Sequence, residues 1–150
     1  MIRTLITHHQ RLNALGVLLV TPGGRKLRLI SRLMRQNVSG EQIIGLLKRL
    51  LRLVPGEIVL VWDNHPIHRR RIVQAFIAQH KRLHVFHFPA YAPELNPAEG
   101  LWVQAKEYTA GKAPMHIRAL YRLVYAALKR TAKSQRRLRA CIKGTRLPWL

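Results

Sequence analysis

The chain has 150 residues, one domain's worth, with 27 Lys and Arg against 6 Asp and Glu, a formal net charge of +21 at pH 7. At 48% hydrophobic residues it can bury a real core, which excludes a disordered basic tail for most of its length, and the charge points to nucleic acid ahead of an anionic membrane surface and well ahead of small acidic substrates. No apolar stretch approaches the roughly 20 residues that span a bilayer, residues 1–7 do not read as a secretory signal, and a single cysteine, Cys141, excludes an internal disulfide and fits a reducing cytoplasm.

Leu12–Val20 reads as a β run closed by Thr21-Pro22-Gly23-Gly24, whose proline and glycines supply turn dihedrals. Arg25–Leu33 then alternates, Leu27 and Leu29 toward a core and Lys26 and Arg28 toward water, which predicts a hairpin with one solvated face. Ser39-Gly40-Glu41-Gln42 is a capping box ahead of Ile43, Ile44, Leu46, Leu47, Leu50 and Leu51 at helical spacing; the helix runs to about Leu53 and stops at Pro55-Gly56. Glu57–Trp62 is a near-continuous apolar run, the pattern of a strand covered on both faces, and it ends at Asp63-Asn64.

Pro66 suits a first helical turn, and Ile72, Val73, Phe76 and Ile77 give the apolar stripe of a helix to about His80, followed by a short strand over Leu83–Phe88. Pro89, Pro93 and Pro97 keep the next stretch irregular until Asn96-Pro97-Ala98-Glu99 opens a helix with Leu101, Trp102 and Ala105 on its inner face. After Gly111–Pro114 a further amphipathic helix carries Ile117, Leu120, Tyr121, Val124, Tyr125 and Leu128. Lys129 to Arg146 holds eight Lys or Arg and no acid, and Pro148-Trp149-Leu150 is an apolar end. The order predicts an α/β layer structure with some parallel pairing, residues 1–130 forming the domain and 131–150 a basic C-terminal extension.

The acids are Glu41, Glu57, Asp63, Glu94, Glu99 and Glu107. Asp63 closes a buried strand, where α/β sheets present groups to a ligand crevice, although an aspartate there can also cap a turn. Glu99, third in its helix, can equally reach back to the Asn96 N–H. His84 and His87 point to opposite faces of a strand and cannot chelate together, whereas His65 and His68 flank a helix start next to Asp63 in a trio able to take a transition metal. Arg69-Arg70-Arg71 beside Asp63, and Arg136, Arg137, Arg139, Lys143 and Arg146 near the end, suit salt-dependent contact with phosphate backbone. No Cys-x-x-Cys, Walker-type loop or Rossmann fingerprint is present.

The stretch from Ile58 through Trp62-Asp63-Asn64-His65-Pro66 to His68, followed by Phe88-Pro89-Ala90-Tyr91-Ala92-Pro93-Glu94-Leu95-Asn96-Pro97-Ala98-Glu99-Gly100-Leu101-Trp102 and Lys106, closely resembles the signature of mariner-related bacterial insertion-sequence transposases of the DDE endonuclease superfamily. The resemblance runs from about His8 to the C-terminal region, with Pro89–Trp102 its specific part. It implies a ribonuclease H-like mixed sheet flanked by helices, in which three carboxylates hold two Mg²⁺ or Mn²⁺ ions that cut DNA and join the end to a new site. Two such metals about 3.5–4 Å apart activate the attacking hydroxyl and stabilise the leaving oxygen. Asp63 falls on the second carboxylate and Glu99 on the third, and the 35 residues 64–98 between them match the family's spacing. His68 matches a histidine common after the Asp-Asn pair, which implies an orienting or DNA-contacting role. Arg69, Arg70, Arg71, Lys106, Arg136, Arg137 and Arg139 are then DNA-binding candidates. Transposon ends and target DNA become the partners, a second copy or a full-length transposase a further one, and the bacterial cytoplasm the setting.

The family's first carboxylate lies on the first, central strand, upstream of the hairpin, and no acid here precedes Glu41. Residues 1–7 sit too close to the hairpin to supply that strand with its usual connection. Glu41 lies in a capped helical turn, and Glu57 is roughly 20 Å along the strand from Asp63. The expectation is therefore an N-terminally truncated catalytic domain, its first central strand and first Asp missing, inactive alone. The two edges left by the gap would accept a partner's strand, pair directly or leave an unstable fragment. The alternative is a non-catalytic basic nucleic-acid-binding protein or a regulator of full-length transposase, with Asp63 and Glu99 as structural caps.

Overall fold

The computed structural model describes residues 2–7 and 10–145, with side chains from Arg11 onward; Arg146 and Pro148–Leu150 lie outside the described residues. The chain divides into two compact units, Met1–Gln36 with Pro93–Leu150, and Asn37–Ala92 inserted between those segments in sequence.

The discontinuous unit is built on an antiparallel sheet of β1 (Ile2–Thr7), β2 (Gln10–Val20) and β3 (Leu27–Met34), with β2 in the centre. β1 falls in residues 1–7, which the sequence reading placed too close to the hairpin to supply the family's first strand with its usual connection. Its register runs from Thr7 opposite Gln10 to Ile2 opposite Leu15, so the link is two residues rather than the longer connection expected, and four of its six residues, Ile2, Thr4, Ile6 and Thr7, are β-branched. It carries no carboxylate. β2 and β3 form the expected hairpin, from Val20 opposite Leu27 to Asn13 opposite Met34. Gly23 and Gly24 take the positive φ values of 76° and 65° that the connection needs, and Thr21 closes it by donating its N–H to the Lys26 carbonyl at 3.0 Å.

The hairpin does not keep one solvated face: Leu12 through Gly16 are buried at every position. As the central strand, β2 packs Leu12 and Ala14 against Leu101 and Trp102 of α3 (Pro97–Thr109) and Leu120, Val124 and Leu128 of α4 (Ile117–Ala132). A side chain at Gly16 would meet the Trp102 ring at 3.3 Å, so the indole lies directly over the strand. The opposite face buries Asn13, whose Nδ2 donates to the Gln36 carbonyl at 3.0 Å.

The boundary that charge suggested at residue 130 falls inside α4, and the basic segment beyond it forms α5 (Gln135–Lys143). Its Leu138 and Ile142 are buried against Leu27, each such burial stabilising by about 1.5–3 kcal/mol. The Gln135 amide joins the edge of β3 as a strand would, accepting from the Leu27 N–H at 3.0 Å and donating to its carbonyl at 2.7 Å.

The inserted unit comprises α1 (Gly40–Leu53), β4 (Ile58–Trp62), α2 (Arg71–Ala78) and β5 (Leu83–His87), with β4 and β5 parallel and Trp62 opposite His87. The capping box at α1 is formed, Ser39 donating its N–H to Gln42 Oε1 at 2.8 Å. At the other end the Arg82 guanidinium takes up the carbonyls of Leu51, Val54 and Gly56, groups that a helix end leaves unpaired.

Two expectations fail in this unit. β4 is not covered on both faces: Ile58, Leu60 and Trp62 are buried, but Val59 is 66% exposed, and Phe86 on the same face of β5 is 56% exposed. Nor does one helix run from Pro66 to His80. Pro66–Arg69 is a 3₁₀ turn, Arg70 is extended at φ −57° and ψ 136°, and only then does α2 begin. The break lets Ile67 and His68 turn inward, with Gln74 Nε2 donating to the His68 carbonyl at 2.7 Å. Among the described residues no helix is long and apolar enough to cross a membrane.

Candidate functional site

Asp63 follows the last residue of β4. The Phe88 N–H donates to the Trp62 carbonyl at 2.9 Å and Asn64 Nδ2 to the Phe88 carbonyl at 2.7 Å, so the strand ends on either side of Asp63 are stapled together. The Asp-Asn pair thus divides its work: Asn64 holds the sheet mouth, and Asp63, 27% exposed, presents its carboxylate there.

Both hydrogen bonds to that carboxylate converge on Oδ1, from His68 Nε2 at 2.9 Å and from the His65 N–H at 3.1 Å. Oδ2 accepts none from the described residues. Burial pushes the carboxyl group's pKa up, but the lowering contributions, the hydrogen bond from His68 first among them, together outweigh it and hold the group at about 2. His68 is itself held below the ordinary imidazole value, because its desolvation outweighs the pull of Asp63. The hydrogen bonding agrees: Nδ1 of His68 is buried without a partner among the described residues, tolerable for a bare lone pair and costly for an N–H. The pair is therefore a carboxylate accepting from a neutral imidazole. His68 stacks on Trp62 with centroids 4.0 Å apart and planes 16° apart, and Trp62 Nε1 donates to His87 Nε2 at 3.0 Å.

The histidines settle into separate tasks. His65 Nδ1 accepts from the Ile67 N–H at 3.2 Å and so caps the 3₁₀ turn, and His84 bonds the Glu57 carboxylate at 2.7 Å. Among the described residues no three His, Cys, Asp or Glu side chains gather as a metal-holding group, so the His65–His68–Asp63 trio is not assembled as one.

Glu99 sits in the discontinuous unit as the third residue of α3, half-buried. Asn96 caps this helix, its Oδ1 accepting from the Ala98 N–H at 3.0 Å. The Asn96 N–H, which the sequence offered to Glu99, donates to the Pro93 carbonyl at 3.0 Å. Trp102, one turn on, is a core residue.

Arg69, Arg70 and Arg71 are all exposed, spread over the 3₁₀ turn, the link and the start of α2; Lys106 is exposed on α3. Arg136 and Arg137 open α5, while Arg139 spends an N–H on the Arg25 carbonyl at 2.9 Å. Sequence reasoning missed that Arg136 and Arg137 share a groove of about 510 Å³ with Arg130, Glu107 and Tyr108, the Arg130 guanidinium lying 5.4 Å from the Tyr108 ring centre. It also missed His87 behind Trp62; the only signal was the shared spacing from the strand starts, Trp62 and His87 each being fifth.

A sequence model of the DDE superfamily endonuclease family matches residues 4–118. No curated protein sequence matches the chain. Among solved structures the fold is similar to the catalytic domain of Mos1 mariner transposase, with 14% identity, 98% of this chain and 81% of that one covered, and a TM-score of 0.62. It is similar to the Mos1 catalytic domain with raltegravir and Mg at 14% identity, 95% and 80% coverage and a TM-score of 0.63. The Mos1 transposase paired-end complex with left transposon end gives 16% identity, 93% and 45% coverage and a TM-score of 0.58. The mixed α/β architecture is thus the ribonuclease H-like one expected.

Proposed function

Since the chain belongs to the DDE superfamily of endonucleases, we propose that it is the catalytic part of a DNA transposase, with Asp63 and Glu99 as two of its metal-holding carboxylates. The observation that carries this reading is the Asp63 carboxylate at the mouth of β4, its Oδ1 fixed by two N–H donors and its Oδ2 accepting none from the described residues. That donor suits a hard divalent cation, Mg²⁺ or Mn²⁺: it is oxygen, it is ionised at any pH above about 2, and the described residues leave Oδ2 for the ion. When bound, such ions activate the attacking hydroxyl and stabilise the leaving oxygen of an in-line phosphoryl transfer.

The chain's own groups do the rest. The Asn96 cap and the burial of Trp102 fix the helix origin from which Glu99 projects. Arg69, Arg70, Arg71, Lys106, Arg136, Arg137 and Arg139 neutralise backbone phosphates of the transposon end and target. The Mos1 transposase paired-end complex with left transposon end supports transposon-end DNA as a partner, and a second copy or a full-length transposase completes this reading. No carboxylate precedes Glu41, and the strand upstream of the hairpin has none, so these 150 residues alone do not cleave.

Thermal melts with Mg²⁺ or Mn²⁺ test the assignment. Metal should stabilise the wild type and neither Asp63→Asn nor Glu99→Gln; indifference to metal refutes it and leaves a basic nucleic-acid-binding protein or transposase regulator. Supercoiled and terminal-repeat DNA should stay intact with either metal, and robust nicking abolished by Asp63→Ala would overturn the claim of inactivity. Replacing Arg69, Arg70 and Arg71 together should flatten the slope of log affinity against log salt by up to about 2.7.

A further inference from the structure

We infer that His68 is a positioning residue for Asp63, an imidazole locked by its neighbours so that its one N–H fixes Oδ1 and reserves Oδ2 for a divalent cation. This rests on the assignment of Asp63 as a metal ligand. His68 is only 2% exposed, and every feature around it restricts the ring. Its backbone N–H donates to the His65 carbonyl at 3.0 Å and its carbonyl accepts from Gln74. One ring face lies on Trp62, and the indole cannot rotate away without losing its bond to His87.

Packing alone does not call for an imidazole. Nδ1 is buried with no partner among the described residues, so that nitrogen gains nothing there that an apolar side chain of similar size would lack. What imidazole adds here is the single donor Nε2–H, 2.9 Å from Asp63 Oδ1. With Nδ1 bare, the proton on Nε2 is assigned by the network, and the ring has one way to satisfy itself. A carboxylate at a strand end otherwise rotates freely about its last bond; held through Oδ1 from two sides, it keeps its other oxygen in one direction. Partners that orient a ligand in this way are worth about 10–100-fold in metal affinity.

The test uses the whole 150-residue chain, with Mn²⁺ as the probe followed by the electron paramagnetic resonance signal of the free ion. His68→Phe keeps a ring on Trp62 and removes the donor, whereas His68→Gln returns an N–H near the position of Nε2. Relative to wild type, His68→Phe should weaken Mn²⁺ binding roughly 10–100-fold and His68→Gln should recover most of that, while melting without metal stays intact in both. Asp63→Ala is the control. If it abolishes binding and His68→Phe does not weaken it, the positioning role is overturned and the metal assignment stands. If Asp63→Ala binds as wild type does, the metal assignment falls and this inference with it. Should His68→Phe fail to fold, long-range ¹⁵N–¹H spectra of the His68 ring decide. An Nε2–H tautomer that shifts in Asp63→Ala sustains the role, and an Nδ1–H tautomer or an unmoved ring overturns it.

Discussion

Replacing Gly100 by alanine sets helix propensity against packing, and the structure says which wins. In the interior of an exposed helix the change would stabilise by about 0.8–1.0 kcal/mol. Here the added methyl would stand 2.8 Å from Cys141 Cα, 3.1 Å from its Cβ and 3.3 Å from its Sγ, where carbon atoms at rest are about 3.5–4.0 Å apart. The nearest atom is backbone, so no rotamer change relieves it and α5 must retreat from α3. That loosens Leu138, Cys141 and Ile142, all buried. Overpacking costs about 1–3 kcal/mol, and a clash with backbone belongs in the upper half of that range, about 2–3 kcal/mol, which exceeds the propensity gain for a net loss of about 1–2 kcal/mol. At about 2–4 °C per kcal/mol for a chain of this size, the melting temperature should fall by roughly 2–8 °C. Circular dichroism melts and urea titrations check it, with Gly56→Ala, whose methyl would meet nothing within 4 Å, as the control that should be neutral or stabilising. A Gly100→Ala protein that melts at or above wild type, with an unchanged urea slope, refutes the reasoning. Because Gly100 follows Glu99, the same variant should also weaken the metal-dependent stabilisation.

Arg82→Met removes the donor to three carbonyls beyond and within the last turn of α1 and should destabilise the inserted unit by about 1–3 kcal/mol, with hydrogen exchange at Val54 rising first. Burial pushes the Cys141 thiol up to about 11 from 9.0, so the folded protein should resist thiol reagents at pH 8 until it unfolds. Across pH 9–11 the unfolded thiol ionises and the folded one does not, so stability falls as pH rises through that window, readable as a declining urea midpoint. Acidification acts through His68 and Asp63, both held below their ordinary values. Their contribution is present above about pH 6.5; it starts to be lost below that as an unfolded His68 takes up a proton, and a second loss follows between 3.8 and about 2 through Asp63. His68→Gln should flatten the first of these steps and leave the second.

Local chemistry made part of this molecule legible. Ser39 with Gln42, Asn96 with Pro97, and Gly23-Gly24 each act within a few residues, and each sits where its sequence signal placed it. The place of Asp63 was legible for the same reason: it is the sole aspartate and closes an apolar run, and β4 ends at the residue before it. What escaped depends on partners far along the chain. The Gln135 bonds to Leu27 and the Arg82 bonds to the end of α1 have no local pattern. β1 escaped because the sequence reading looked there for the family's first strand with a longer connection, although its β-branched residues were in view. The exposed Val59 looked like core because hydrophobicity reports what a strand can bury and not what covers it. His68 looked like the first turn of a helix until the extended Arg70 turned it inward.

The insertion of residues 37–92 into the other unit has a consequence during translation. β2 leaves the ribosome long before Trp102, Leu128 and Leu138, the residues that cover it and β3. At 5–20 residues per second the wait is on the order of 10 s. The inserted segment, contiguous in sequence, meets no such delay. For that interval the nascent sheet shows Leu12, Ala14 and Leu18 to the cell, which makes the first third of the chain the place where chaperones would engage and where premature termination would yield aggregates.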